Sequence, residues 1–174
     1  MGNDTATGDD TTTLLILGAS GDLASRLLMP GLGGLLTIQT ERRVQLIGAG
    51  AETYTDEEWA QRVRDAMAVG EASGPAVDDL IANTHYLTAD VTKAEDLTKL
   101  IAACDNPPAM YFALPPAVTA KACAALPGLL PDGVRLALEK PFGVDEASAH
   151  ALNQQLAVLA PEDHVFRVDH FLGT

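Results

Sequence analysis

The apolar run Leu14-Leu15-Ile16-Leu17 stops at a glycine, and the segment that follows constrains the fold more than any other part of the chain. Gly18-Ala19-Ser20-Gly21-Asp22-Leu23-Ala24 places Gly, Gly and Ala three residues apart. A buried strand that feeds a tight turn and opens a helix is how a dinucleotide-binding unit begins. Gly18 lets the chain turn with little steric cost, Gly21 lets the backbone come close to a pyrophosphate, and Ala24 lets the helix pack against the strand. The helix N-terminus then offers unpaired N–H groups to the phosphates. The spacing G-x-x-G-x-x-A is looser than G-x-G-x-x-G, so a strand-turn-helix that holds no ligand is the competing reading.

The rest of the chain repeats the unit. Apolar runs predict strands over 13–17, 44–48, 84–87, 109–114, 135–139 and 165–168. Between them, helices are expected over 22–36, 55–69, 77–83, 92–104, 117–130 and 144–159. Pro30, Gly31, Gly33 and Gly34 should weaken or kink the first of these. Thr55 and Glu58 have capping-box spacing at the start of the second. Strands alternating with helices predict a doubly wound, mostly parallel α/β sheet covered on both faces, a Rossmann-type domain. That domain is expected over 13–174, preceded by a disordered tail over 1–12 that is rich in Gly, Asp and Thr.

Composition narrows the function. The net charge of −13 leaves no basic stripe for nucleic acid or for an anionic membrane. No apolar run is long enough to span a bilayer. Cys104 and Cys123 lack metal-ligand spacing and read as buried free thiols in a reducing, cytoplasmic setting. No metal is expected.

Ligands of a doubly wound sheet bind beyond the carboxyl ends of its strands. Unusual polar residues gather there: Gly18–Asp22, Gly48–Thr53, Leu114–Pro116, Glu139–Gly143 and Asp169–Thr174. Four motifs occur in order: Gly18-Ala19-Ser20-Gly21-Asp22-Leu23-Ala24, Tyr111-Phe112-Ala113-Leu114-Pro115-Pro116, Glu139-Lys140-Pro141-Phe142-Gly143 and Arg167-Val168-Asp169-His170-Phe171-Leu172-Gly173. Together they resemble the N-terminal coenzyme domain of the glucose-6-phosphate dehydrogenase family, over nearly the whole chain past Thr13.

The resemblance implies oxidation of C1 of a phosphohexose to the lactone, with hydride transfer to NADP or NAD. It implies that Lys140 hydrogen-bonds the sugar near the nicotinamide and that Pro141 follows a cis bond linking the two sites. His170 would hold the sugar phosphate, with Phe171 beside it, and Asp169 would orient a catalytic histidine. Gly18, Ser20, Gly21, Asp22, Leu23, Ala51, Glu52, Leu114, Pro115, Pro116, Glu139, Lys140 and Pro141 would meet the coenzyme. Asp22 also reads as a cap of the first helix, and Tyr111 reads as core.

The chain departs from the family pattern in places. Ala51 stands where an arginine commonly grips the NADP 2′-phosphate, and Glu52 follows it. An acid there suits a free ribose 2′-OH, which leans to NAD or relaxed specificity; a solvated loop acid is the equal alternative. Leu27 and Thr174 stand where lysines are usual, and Phe171 where a tyrosine is. These losses leave an unphosphorylated sugar open as substrate. The family's second domain carries the catalytic histidine, and His85, His150 and His164 do not suit that task. The expectation is a chain that does not turn over alone, with oligomeric state open. A non-catalytic NAD(P)-binding module is the alternative. A short-chain dehydrogenase is set aside, because Glu58, Asp90 and Pro115 stand where a Tyr-x-x-x-Lys lysine would follow Tyr54, Tyr86 and Tyr111.

Overall fold

Six strands pair side by side, all parallel, in the order β3-β2-β1-β4-β5-β6. The structure, a computed structural model, describes residues 11–169. The strands are β1 (Thr11–Leu17), β2 (Arg43–Gly50), β3 (His85–Thr88), β4 (Ala109–Phe112), β5 (Arg135–Glu139) and β6 (Val165–Val168). The helices are α1 (Met29–Ile38), α2 (Asp56–Val69), α3 (Pro75–Asn83), α4 (Ala94–Ala102), α5 (Pro116–Ala125) and α6 (Glu146–Leu159). This is the doubly wound α/β fold expected from the alternating pattern.

Period-two alternation along β1 separates two cores. Leu15 and Leu17 enter one, with Met110, Phe112, Leu136 and Leu138 of the neighbouring strands and Leu97, Cys123 and Leu152 of α4, α5 and α6. Ile16 enters the other, with Leu46 of β2 and Leu36, Trp59, Val63 and Leu80 of α1, α2 and α3. Each fully buried aliphatic side chain of this kind contributes roughly 1.5–3 kcal/mol.

Several boundaries differ from the sequence expectation. β1 starts at Thr11, inside the stretch expected as tail, because Thr11 and Thr12 pair with Arg43 and Val44. The first helix, expected to be weakened or kinked around Pro30, is irregular just before that proline. A five-residue π-helical stretch, Ala24–Leu28, precedes α1, and the Met29 N–H bonds to the Ala24 carbonyl. A wider turn accommodates a proline ring that would otherwise press on the preceding turn. β4 ends at Phe112 rather than Leu114: the Ala113 N–H makes a last bond to Leu17 O at 2.9 Å, and the prolines beyond have no N–H to continue the ladder. α5 stops at Ala125, and Gly128 turns with φ +80°.

Trp59 locks α2 onto β2. Its ring is fully buried, and a Cβ at Gly48 would lie 2.5 Å from the Trp59 ring. The indole N–H donates to Thr84 Oγ1 at 2.8 Å, and that hydroxyl donates to the Leu46 carbonyl at 2.8 Å. The chain of bonds leaves neither buried donor unpaired. The expected capping box is present: Glu58 N–H donates to Thr55 Oγ1 at 3.2 Å, and Thr55 N–H to Glu58 Oε2 at 2.8 Å. No helix among the described residues is long and apolar enough to cross a membrane.

Gly48→Ala should therefore destabilise the fold by about 1–3 kcal/mol. The emission of Trp59, the sole tryptophan, followed through urea unfolding should show a lower midpoint with an unchanged slope. An unchanged midpoint would mean that β2 and α2 can separate at little cost.

Candidate functional site

β1 and β4 are adjacent, yet their following connections depart in opposite directions across the sheet. This switch point opens a cleft beyond the strand ends. The cleft has a volume of about 740 Å³ and is lined by Gly18, Ser20 and Gly21 after β1, Gly50 and Ala51 at the end of β2, the segment 88–92 after β3, and Ala113, Leu114 and Pro115 after β4.

The first turn is built from backbone. Gly18 has φ +83°, a conformation that glycine adopts without a Cβ penalty. The Gly18 and Ala19 N–H groups both donate to Ala49 O, at 2.8 and 3.0 Å, and the Gly21 N–H donates to Gly18 O at 3.1 Å. A Cβ on Gly18 would overlap the Ala113 carbonyl and lie 2.8 Å from Leu114 Cδ2. The turn is thus wedged against the exit of β4, and only a bare backbone fits. Such a backbone cradle at the start of a helix fits the pyrophosphate of a dinucleotide.

Asp22 does not cap that helix. It is exposed, and among the described residues no capping hydrogen bond reaches its side chain; Ser25 Oγ instead donates to the Asp22 carbonyl at 3.2 Å. Leu23 is half-buried, and Pro116 is the first residue of α5; neither lines the cleft.

The wall after β3 is braced by its own carboxylates. The Thr92 N–H and hydroxyl donate to Asp90 Oδ1 at 3.0 and 2.6 Å, and the Asp90 N–H donates to Asp96 Oδ2 at 2.8 Å. The Thr92 bonds hold the Asp90 carboxyl below its usual pKa. Below the cleft floor, the buried Tyr86 hydroxyl lies next to Gly50 and Ser20 and makes no hydrogen bond of good geometry. Burial raises its pKa.

At the end of β2, Ala51 and Glu52 are both exposed, and the Glu52 carbonyl accepts from Thr88 Oγ1 at 3.1 Å. A cation reaches the neighbouring turn after β1 from another element. Arg62 of α2 donates from Nη2 to the Ser20 carbonyl at 3.2 Å, and its guanidinium lies 4.9 Å from the centre of the Tyr54 ring. Sequence reasoning missed this residue, because it meets Ser20 across 42 positions and no local motif marks it.

A second group of polar side chains forms at the ends of β5 and β6. The Lys140 N–H bonds to Val168 O at 3.1 Å, which brings Lys140 Nζ within 2.9 Å of Asp169 Oδ2. The Lys140–Pro141 bond is cis. Both charged groups are about half exposed, and such pairs contribute about 0–1 kcal/mol. The pair therefore places a lysine more than it holds the fold together. Tyr111, expected in the core, is half-buried and donates a short hydrogen bond to Glu139. Burial first, then the Glu139 carboxylate, pushes the Tyr111 pKa up. The β4–β5 register, which sets Tyr111 opposite Ala137, puts the two groups on one face. His170 and Phe171 lie outside the described residues.

The described histidines stand away from these strand ends. His85 is the first residue of β3 and contacts Asp56 at 3.7 Å. His164 precedes β6 and contacts the Val134 carbonyl at 3.2 Å. His150 lies within α6 beside Gln154.

Comparison with known proteins agrees with this fold. The family model described as "Glucose-6-phosphate dehydrogenase, NAD binding domain" matches residues 15–174. Glucose-6-phosphate 1-dehydrogenase of Dickeya dadantii (strain 3937) is 33% identical over 171 residues, covering 92% of this chain and 34% of that protein. The crystal structure of glucose-6-phosphate 1-dehydrogenase from Mycobacterium avium superposes with a TM-score of 0.79 at 32% identity, covering 92% of this chain and 37% of that one. A glucose-6-phosphate dehydrogenase solved in complex with its substrate glucose-6-phosphate superposes with a TM-score of 0.74 at 29% identity, with the same shares covered. The chain spans about a third of the length of the relatives it matches.

The two cysteines are free, Cys104 half-buried and Cys123 buried. Burial pushes their thiols up to about 11 and about 12. The thiolate is the reactive form, so neither serves as a nucleophile near neutral pH. At pH 8, iodoacetamide should leave Cys123 intact in the native chain and label Cys104 slowly, while both react promptly in urea, as read by mass spectrometry. Rapid native labelling of Cys123 would contradict this burial.

Proposed function

The chain belongs to the glucose-6-phosphate dehydrogenase family through its NAD-binding domain, and from that membership we propose that it holds the coenzyme of a dehydrogenase oxidising C1 of glucose 6-phosphate to the lactone. The wedged turn at Gly18 on the floor of the switch-point cleft carries this reading. Gly18, Ser20, Gly21, Asp22 and Leu23 would receive the pyrophosphate along the turn and helix start. Ala51 and Glu52 would face the adenosine ribose. Leu114 and Pro115 would border the nicotinamide half, with Pro116 opening α5 behind them and Glu139, Lys140 and Pro141 beyond. Bound there, the nicotinamide would take up the hydride leaving C1.

The chain's own residues then have separate tasks. Lys140 donates hydrogen bonds to the sugar, and Asp169, paired with it at 2.9 Å, restrains its ammonium group. Tyr111 holds Glu139 beside that lysine. His170 takes the sugar phosphate, with Phe171 against the same substrate. Asp169 can alternatively turn to orient an incoming imidazole. The general base for the C1 hydroxyl comes from outside the described residues, since no described histidine stands at these strand ends. A module that binds coenzyme without turnover is the second reading, favoured by that same placement of the histidines. Glu52 suits a free ribose 2′-OH, so NAD is accepted.

Calorimetric titration with NAD⁺ tests the reading. The wild-type chain should bind saturably, and Gly21→Val, which puts a branched side chain on an exposed position of the cradle, should weaken binding at least about tenfold with native Trp59 emission. Absence of binding by the wild type, or equal binding by the variant, would overturn it.

A further inference from the structure

We propose that Arg62 supplies the positive charge for a ribose 2′-phosphate that the end of β2 lacks, so that the cleft accepts NADP as well as NAD. The inference rests on the coenzyme reading above and deepens it.

In a doubly wound domain the adenosine ribose lies at the end of the second strand, where an acid reads the 2′-OH and a nearby arginine accommodates a 2′-phosphate. Here that end carries Ala51 and the acid Glu52. The whole chain bears −13 charges, so a dianionic 2′-phosphate needs a local cation. Other basic groups nearby in sequence are placed or occupied elsewhere. Arg43 starts β2, at the opposite end of the strand, and pairs with Asp79 at 3.0 Å. Arg64 donates to Gln61 at 2.5 Å. Lys93 pairs with Asp90 at 3.5 Å.

Arg62 differs from these. Its hydrogen bond to the Ser20 carbonyl brings the guanidinium to the rim where Ser20 and Ala51 line the cleft. The Tyr54 face supports it at 4.9 Å, and Tyr54 itself packs edge-on against Tyr86 at 4.9 Å. No carboxylate among the described residues forms an ion pair with it. A guanidinium has five N–H donors, so the Ser20 carbonyl leaves others for a phosphate, which arginine binds with paired hydrogen bonds. Glu52 directly follows Ala51, which lines that same rim. The acid that suits NAD and the cation that suits NADP thus flank one ribose position.

Titrations of the wild type, Arg62→Met and Arg62→Lys with NAD⁺ and with NADP⁺, at one fixed salt concentration, test the assignment. The wild type should bind both coenzymes. Arg62→Met should weaken NADP⁺ at least about tenfold and change NAD⁺ by less than about twofold, with Arg62→Lys between the two for NADP⁺. Equal losses for both coenzymes would mean that Arg62 only braces the Ser20 turn, and would overturn the inference. Unchanged NADP⁺ affinity in Arg62→Met, or a wild type that binds NAD⁺ alone, would overturn it and leave the coenzyme reading standing. A wild type that binds neither would overturn the coenzyme reading itself.

Discussion

The approach of Gly18 to the exit of β4 ties the two halves of the molecule together. β1 is the central strand, and its last carbonyl, on Leu17, accepts from the Ala113 N–H at 2.9 Å. The chain must then turn away at once on both sides. Gly18 turns with positive φ, and β4 gives way to Leu114, Pro115 and Pro116. The divergence opens the cleft, and the lack of a side chain at Gly18 keeps its floor closed without filling it. The β2 end, the segment after β3 and the Arg62 guanidinium all take their places relative to that turn.

Two kinds of chemistry meet along the strand ends. The half at the β1–β4 switch point is a surface of backbone and small residues, suited to a flat, extended ligand. The half at β5 and β6 is a cluster of side chains, in which Lys140 pairs with Asp169 and Tyr111 with Glu139. The first is rigid because strand hydrogen bonds set it. The second is half exposed, and at the β6 edge of the sheet Phe166 of β6 and Val158 of α6 also face outward. A lysine held by one exposed carboxylate can exchange that partner for another hydrogen-bond acceptor at small cost.

The local features of this fold were legible in the sequence. Branched aliphatics running into Gly18 marked β1, its turn and the cradle, and Thr55 with Glu58 marked the start of α2. Lys140 and Asp169 were singled out by resemblance alone, and the sheet brings the two side chains together. Contacts that depend on register or on distant packing were not legible. Tyr111 packs against the core as its apolar strand suggests, and only the β4–β5 pairing shows Glu139 within its reach. Asp22 read as a cap because its residue type favours that position, yet the backbone closes the turn without it. Pro30 read as a weak point, and a π-helical stretch absorbs it. Arg62 had no marker, since its partner Ser20 lies on another element.

Backbone amide shifts in ¹H–¹⁵N correlation spectra, recorded as NAD⁺ is added, test the placement of the coenzyme most directly. Saturable shifts should concentrate at Gly18–Leu23, Ala51, Glu52, 88–92 and Leu114, with α3 and the amino ends of the strands unmoved. Shifts centred away from the β1–β4 switch point would contradict the proposal that this cleft holds the coenzyme.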